Sequence, residues 1–166
     1  MSRIVPLQDA LKRTRPFRSP AQETGLSLMR AADALRRHLT EVVSPHGITM
    51  QQYNVLRILR GAGAAGLPTL AVGDRMIERT PGVTRLLDRL EADGLVGRDR
   101  CDRDRRRVFA RITDRGLELL ARIDEPLAVA EDGVFAEFGT DELRDLIRTL
   151  ERVRAALDDD GDGPAE

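Results

Sequence analysis

Threonine and arginine side chains recur on one side of the segment 80–94. Apolar residues lie three or four positions apart in this segment, which predicts a helix with one buried face and one exposed face. The exposed face carries Gly82, Thr84, Arg85, Asp88 and Arg89. Arginine can donate two hydrogen bonds to guanine, and threonine can contact a base edge, a thymine methyl group or a phosphate. We therefore predict DNA contacts from Thr80, Thr84, Arg85 and Arg89.

Residues that favour a helix start stand at one end of this segment, and a residue that favours a helix end stands at the other. Thr80 can cap the first turn with its hydroxyl, and Pro81 suits the first helical position because it has no N–H to leave unpaired. Gly94 can supply a left-handed exit. The sequence thus predicts a helix that starts at Pro81 and ends just before Gly94.

An arginine-rich loop, residues 97–107, follows between two short predicted strands at Leu95-Val96 and Val108–Ile112. A run of charges in a loop is usually a solvated surface. Here the loop follows a basic helix face, and a hairpin tip with arginine can enter the narrow, negative minor groove. We predict that Arg106 enters the minor groove, that Arg103 and Arg105 contact phosphates, and that Asp104 braces the loop by pairing with an arginine.

The order helix, strand, loop, strand, helix is that of a winged helix, and the chain resembles the MarR family of bacterial winged helix-turn-helix regulators. The resemblance covers about residues 22–157. It rests on VTRLLDRLEADGLV, on the wing motif Asp104-Arg105-Arg106, on Ile112-Thr113 with Gly116, and on GITMQQYNVLRILR at 47–60. One departure is Ile77-Glu78, which stands where many members have a glycine and an apolar residue.

The resemblance implies a mainly α-helical fold with a small β-wing, in which a winged helix-turn-helix at about 48–112 lies between N- and C-terminal dimerisation helices. It also implies a homodimeric transcription regulator, most often a repressor, that binds a pseudo-palindromic operator on double-stranded DNA. Members often bind phenolic or other aromatic anions in a crevice between the first two helices and the winged domain. The nearest residues of this chain are Leu39, Val43, His46, Tyr53 and Arg57.

The remaining predicted elements are helices and two terminal segments. Helices are predicted at 22–44, from Thr49 to about Arg60, at about 68–77, at about 113–132 and at 141–157, with GAGAAGLP at 61–68 as a turn. One small domain does not need two long amphipathic terminal helices, so we expect them to pack against a second subunit. Residues 1–20 are predicted to be an extended, flexible basic arm, 21–157 the winged-helix domain, and 158–166 a disordered acidic tail.

Several classes of function are disfavoured by the sequence. It contains no apolar run of about 18 residues and no apolar N-terminal signal, so we expect a cytoplasmic protein without a membrane span. No Gly-rich phosphate loop, nucleophile elbow or paired-histidine metal motif occurs, which predicts neither an enzyme nor a cofactor. His38 and His46 could form a metal pair, but we interpret them as surface or interface histidines.

Two alternatives remain open. Cys101, the single cysteine, lies among arginines that would lower its pKa and favour a reactive thiolate, which would suit a redox-sensing regulator. Peroxide-sensing members usually carry that cysteine in the first helix, where this chain has none. The second alternative is a winged-helix module that binds an acidic protein surface rather than DNA.

Overall fold

The computed structural model describes residues 5–78, 82–100 and 108–159, and these form helices with one small antiparallel sheet. This confirms the predicted fold class. The chain divides into two compact units, residues 1–128 and residues 129–166. The helices are α1 (Leu7–Ala10), α2 (Pro20–Val43), α3 (Met50–Ala62), α4 (Thr69–Asp74), α5 (Val83–Ala92), α6 (Asp114–Phe135) and α7 (Thr140–Asp159). The strands are β1 (Leu67–Pro68), β2 (Val96–Arg100) and β3 (Val108–Ile112).

Side-chain caps fix the starts of the long helices of the first unit. Thr49 accepts a hydrogen bond from the backbone N–H of Gln52, and the Gln52 side chain accepts one from Thr49 N–H, which forms a capping box. Thr113 Oγ1 accepts from the Gly116 N–H at 3.1 Å. Both caps confirm the predicted helix starts. Residues 1–20 were expected to be extended, but α1 forms a single helical turn within them, and Ser19 caps α2.

The core of the first unit lies between α3, α5 and α6. Its fully buried leucine and isoleucine side chains are Leu56, Leu59, Leu87, Leu90, Leu120 and Ile123. Burial of such side chains contributes roughly 1.5–3 kcal/mol each. Because two of these leucines belong to α5, the core holds that helix and directs its opposite face to solvent.

The sheet has the order β1-β3-β2, with antiparallel pairing throughout. Pairing of β2 with β3 runs from Val96↔Ile112 to Arg100↔Val108. The prediction of a loop at 97–107 is therefore wrong for residues 97–100, which belong to β2. The predicted turn at 61–68 was also wrong at its end, because Leu67 and Pro68 pair with Ala110 and Phe109. A two-residue strand has no period to detect, and proline is tolerated at the edge of a sheet.

Gly116 allows α6 to approach the sheet closely. A Cβ atom at this position would lie 2.5 Å from the carbonyl oxygen of Leu95 and 2.7 Å from the Ile112 side chain. Any larger residue would push α6 away from the start of β2. The glycine after Ile112-Thr113 is thus required by packing.

The second unit holds the end of α6, a short turn and α7. Phe135 and Phe138 make an edge-on ring contact, with centroids 6.2 Å apart. The Gly139 N–H donates to Glu142 Oε2 at 2.7 Å, next to the start of α7. The predicted helix at 141–157 is confirmed.

Candidate DNA-binding site

The start of α5 differs from its prediction. The helix begins at Val83, and Gly82 is the N-cap with φ +122° and no side-chain hydrogen bond. This backbone angle is not helical, so α5 starts two residues later than the predicted start at Pro81, and the cap by Thr80 stays a prediction. Thr80 and Pro81 themselves lie outside the described residues. The predicted exit is confirmed, because Gly94 has φ +70°.

The two faces of α5 are those predicted. Leu87 and Leu90 are fully buried, whereas Thr84, Arg85 and Arg89 are exposed. Thr84 and Arg85 lie in the first turn, where a recognition helix contacts base edges. Arg89 lies one turn further along the same face, about 6 Å along the axis. Among the described residues, neither Arg85 nor Arg89 has an ion-pair partner, so both guanidinium groups are available to a negatively charged ligand.

Arg98 on β2 forms ion pairs with two acidic side chains of α5 and so offsets part of their negative charge. Its guanidinium donates to Glu91 Oε2 at 2.9 Å from Nε and at 2.5 Å from Nη2, and Nη1 lies 2.7 Å from Asp88 Oδ1. The hydrogen bond to Glu91 is the largest influence on the pKa of Arg98 and raises it, while burial opposes this rise. Arg98 therefore fixes the wing strand to the recognition helix and offsets negative charge that would repel phosphate.

A second arginine holds the other strand of the hairpin. Arg111 on β3 forms an ion pair with Asp99 on β2, and its Nε donates to the Ala64 carbonyl at 2.9 Å. Arg111 therefore ties the base of the hairpin to the turn that precedes β1. No local pattern marks either arginine, because the partners of each lie on other elements.

The tip of the hairpin, residues 101–107, lies outside the described residues. The roles assigned to Arg103, Asp104, Arg105, Arg106 and Cys101 therefore stay predictions.

The turn between α4 and α5 is held by α2 and α3. The Ile77 N–H donates to Asn54 Oδ1 at 3.1 Å. Glu78 accepts from Gln51 Nε2 at 3.1 Å and lies 2.9 Å from Arg36 Nε. In the sequence, Ile77-Glu78 stands out only as a departure from the family pattern, and the partners of this pair become evident only in the folded chain.

Three of the five residues predicted near a ligand crevice are buried, and a fourth lies over the ring of one of them. Leu39, Val43 and Tyr53 are buried, and the Arg57 guanidinium lies 5.8 Å from the centroid of the Tyr53 ring. The Tyr53 hydroxyl donates to Asp124 at 3.3 Å. Tyr53 and Arg57 are therefore adjacent, as a crevice that binds an aromatic anion would require.

Asp124 and Arg60, which the sequence analysis missed, complete this cluster. Arg60 Nη1 lies 2.5 Å from Asp124 Oδ2, and Nη2 lies 3.2 Å from Oδ1. The hydrogen bond from Arg60 is the main cause that lowers the pKa of Asp124, and burial is the main cause that raises the pKa of Tyr53. Asp124 therefore stays ionised and holds both partners.

His46, the fifth predicted residue, lines a different feature, an open pocket of about 230 Å³. Its apolar lining comes from the buried side chains of Ile48, Leu95 and Leu119. Arg115, Arg122 and Asp93 supply charge at the same pocket. Of the predicted ligand residues, only His46 lines it.

Two features that mark other classes of protein are missing from the described residues. Within the described ranges, no helix has the length and apolar character needed to cross a membrane. In the same ranges, no cluster of three or more histidine, cysteine, aspartate or glutamate side chains is arranged to hold a metal ion.

Comparison with known sequences identifies the family. A sequence model described as "MarR family" matches residues 48–108, which include α3, α4, α5 and β2. The transcriptional regulator PecS of Dickeya dadantii is 32% identical over 133 residues, which cover 79% of this chain and 80% of PecS. The chain belongs to the MarR family. The homoprotocatechuate degradative operon repressor of Escherichia coli is another relative of this MarR protein, 29% identical over 78% of this chain and 86% of the repressor.

Solved structures of MarR proteins agree with this assignment. A MarR transcription factor from Planctomyces limnophilus is 39% identical, with a TM-score of 0.64, over 82% of this chain and 98% of that chain. Sco3205 of Streptomyces coelicolor, solved in complex with DNA, is 26% identical with a TM-score of 0.75 over 87% and 93% of the two chains. NadR, solved in complex with 4-hydroxyphenylacetate, is 28% identical with a TM-score of 0.65 over 86% and 97%.

Family membership confirms the predicted class of function. This MarR protein is a DNA-binding transcription regulator, and its family consists of regulators rather than enzymes. Members of the family are dimeric.

Proposed function

We propose that this chain is a homodimeric repressor that places α5 in the major groove of a pseudo-palindromic operator. The observation that supports this most directly is the exposed face of α5, where Thr84, Arg85 and Arg89 point away from the core and neither arginine has an ion-pair partner among the described residues. Arg98 offsets the charge of Asp88 and Glu91 beside that face. The result is a helix surface whose available charge is positive.

Roles for individual residues follow from position. Thr80, Thr84 and Arg85 are proposed to contact bases or phosphates near the N-terminal end of α5, with Arg89 one turn further along. Arg106 is proposed to enter the minor groove, Arg103 and Arg105 to contact phosphates, and Asp104 to brace the wing. Residues 1–20 are proposed as a basic arm and residues 158–166 as an acidic tail outside the winged-helix domain.

Exposed apolar side chains support the dimer. On α2, Leu28 and Met29 are exposed, although the other end of the same helix is buried at Leu39 and Val43. On α7, no described side chain is buried, and Leu146, Ile147, Leu150 and Leu157 are all exposed. Apolar stripes of this kind usually mark a surface for another protein. A second copy of the chain is the occupant that the dimeric family supports.

The proposed effector is a small aromatic or phenolic anion that relieves operator binding. NadR binds 4-hydroxyphenylacetate, and an Escherichia coli relative represses a homoprotocatechuate operon. Two places in this chain suit such a ligand: the adjacent Tyr53 and Arg57, with buried Leu39 and Val43 proposed as apolar walls, and the pocket that His46 shares with Arg115 and Arg122. The ligand would act by binding more tightly to a dimer whose recognition helices are wrongly spaced for DNA. A protein that acts on a bacterial promoter works in the cytoplasm, which we propose as its location.

The experiment that tests this function is a footprint of the promoter beside the chain's own gene, followed by binding measurements on the protected site. A dimer predicts two half-sites centred about 10 bp apart on a pseudo-palindrome. If each subunit neutralises about three to five phosphates, the slope of log affinity against log salt should be about −5 to −9. A slope near zero, or a protected site without two-fold symmetry, would contradict the proposal.

The alternative of a winged-helix module for acidic proteins predicts a different result on the same site. Such a module would hold DNA only through nonspecific charge, so operator and random-sequence DNA would bind equally. The exposed side chains of Thr84 and Arg85 in the first turn of α5 favour sequence-selective binding.

A further inference from the structure

Two consecutive residues in the turn before the recognition helix are held by two different helices. The Ile77 N–H is bound by Asn54 on α3, and the Glu78 carboxylate is bound by Gln51 on α3 and by Arg36 on α2. The Ile77 side chain is 84% exposed, so the segment is not fixed by apolar burial at that residue. Met76, directly before it, is buried, and the polar contacts of Ile77 and Glu78 with α2 and α3 hold the part of the turn that follows Met76.

This turn lies directly before the helix that contacts DNA. Glu78 precedes Val83, the first residue of α5, by five positions. A recognition helix must enter the groove with its first turn correctly placed, because base contacts depend on distance and angle. A shift of the turn would therefore affect base contacts more than contacts with phosphates, which tolerate more variation in position.

Arg36, the partner of Glu78 on α2, connects the turn to the helix proposed to form the dimer interface. Arg36 lies on the helix whose exposed apolar residues we assign to the dimer interface, and its Nε is 2.9 Å from Glu78 Oε1. The Arg36–Glu78 pair is therefore a direct link between that helix and the turn before α5. A change in the position of α2 on dimer formation or ligand binding would reach the recognition helix through it.

We propose that Glu78 is a positioning residue for the recognition helix, which holds the turn before α5 against Arg36 of α2 and Gln51 of α3. This inference rests on the proposed placement of α5 in the major groove. Glu78 need not touch DNA, and as an acid it would repel phosphate if it did. Its contribution is to sequence selectivity rather than to affinity for DNA in general.

The test compares affinity for the operator with affinity for random-sequence DNA, in the full-length dimer. Glu78→Ala should weaken operator binding about three- to tenfold, the range expected for a partly exposed pair that couples two elements. Binding to random DNA should stay equal or rise slightly, because the variant removes a negative charge. Loss of selectivity together with unchanged nonspecific affinity is a result that a general loss of stability would not give.

Arg36 and its neighbour Arg37 provide a matched control. Arg37 pairs with Asp33 on the same helix at 2.8 Å and has no described contact with the turn. Arg36→Gln and Arg37→Gln each remove one positive charge from adjacent positions of α2. Only Arg36→Gln should lower the ratio of operator to random-DNA affinity, and melting temperatures measured in parallel should fall equally in the two variants.

A charge exchange separates positioning from simple charge removal. The double variant R36E/E78R restores an ion pair with reversed polarity, so its selectivity should return to within about threefold of the wild type. The proposal is overturned if Glu78→Ala and Arg36→Gln leave the ratio unchanged, or if the double variant is no better than the single variants. If the wild type itself shows no preference for the operator, the proposed function fails instead of this inference.

Discussion

Arg98 on the wing strand and Glu91 on the recognition helix are joined by two hydrogen bonds, of 2.9 Å from Nε and 2.5 Å from Nη2 to the same carboxylate oxygen. The Arg98 side chain is only 22% exposed, so this contact is partly shielded from water. This contact holds β2 and α5, the two elements proposed to contact DNA, in a fixed relative position. The same guanidinium also forms an ion pair with the carboxylate of Asp88.

We expect Arg98→Gln to weaken binding to random DNA as well as to the operator, and to weaken operator binding at least as much, because the variant also releases β2 from α5. The variant leaves the charges of Asp88 and Glu91 uncompensated on the helix that approaches phosphate, and this repulsion does not depend on sequence. Stability should fall by about 1 kcal/mol, since the carboxylates are partly exposed. Fluorescence anisotropy at two salt concentrations, with urea unfolding, measures both effects. Adding Asp88→Asn should recover part of the affinity, and an unchanged affinity in Arg98→Gln would exclude this role.

Asp124→Asn should make the chain less stable at neutral pH but less sensitive to acid. Hydrogen bonding by Arg60 lowers the pKa of Asp124 in the folded state, so its ionised form stabilises the fold above the unfolded pKa. That stability is lost as pH falls through the lowered folded value. We expect a difference in unfolding free energy of about 1 kcal/mol at pH 7, discounted for partial exposure, which begins to shrink near the unfolded pKa, at about pH 4, and decreases further at lower pH.

Urea unfolding from pH 7 to pH 3 checks this expectation. Tyr53→Phe is the control, because it removes one hydrogen bond to Asp124 and leaves the ion pair with Arg60 intact. A stability difference that persists unchanged at pH 3 would show that the Asp124 charge is not its source.

Cys101→Ser tests the redox alternative. If the thiol is only a wing residue, the variant should bind the operator like the wild type, before and after mild peroxide. Anisotropy measurements with and without peroxide give the answer. Oxidant-dependent release in the wild type that is lost in the variant would make this chain a redox sensor.

The wing and the acidic tail should have opposite effects on affinity. Arg106→Ala should weaken binding most on operators with A·T-rich flanks, where the minor groove is narrow and negative. Deletion of residues 158–166 removes five acidic residues beyond Leu157, so affinity should stay equal or rise slightly and folding should be unchanged. Anisotropy on one operator compares both variants. A deletion that abolishes binding, with Arg106→Ala without effect, would move the DNA-contacting surface elsewhere.

Local patterns predicted the elements of the site well. The spacing of Leu86, Leu87 and Leu90 defined the buried face of α5, and Thr49 and Thr113 marked helix starts that the structure has. These signals depend on neighbours within four residues. Gly82 shows the limit of these local signals. Pro81 favours a helix start, but the positive φ of Gly82 is not helical, so α5 begins at Val83.

Contacts between distant elements could not be predicted in this way. Arg98 and Glu78 look like ordinary surface charges in the sequence, yet each joins two elements of the winged helix. Asp124 is separated from Tyr53 by 71 residues and from Arg60 by 64. No period or spacing marks such a pair, so only the folded chain brings the partners together.

The most direct test of the account is the binding of Arg85→Ala to operator and to random-sequence DNA, measured by anisotropy at one salt concentration. Arg85 is exposed in the first turn of α5 and has no ion-pair partner among the described residues. If it contacts a base, the operator complex should lose about 1–3 kcal/mol, whereas the random-DNA complex should change little. Arg144→Gln, an exposed arginine of α7, is the control for loss of one positive charge. Equal losses on both DNAs, or no loss on the operator, would contradict the assignment of α5 as the helix that reads sequence.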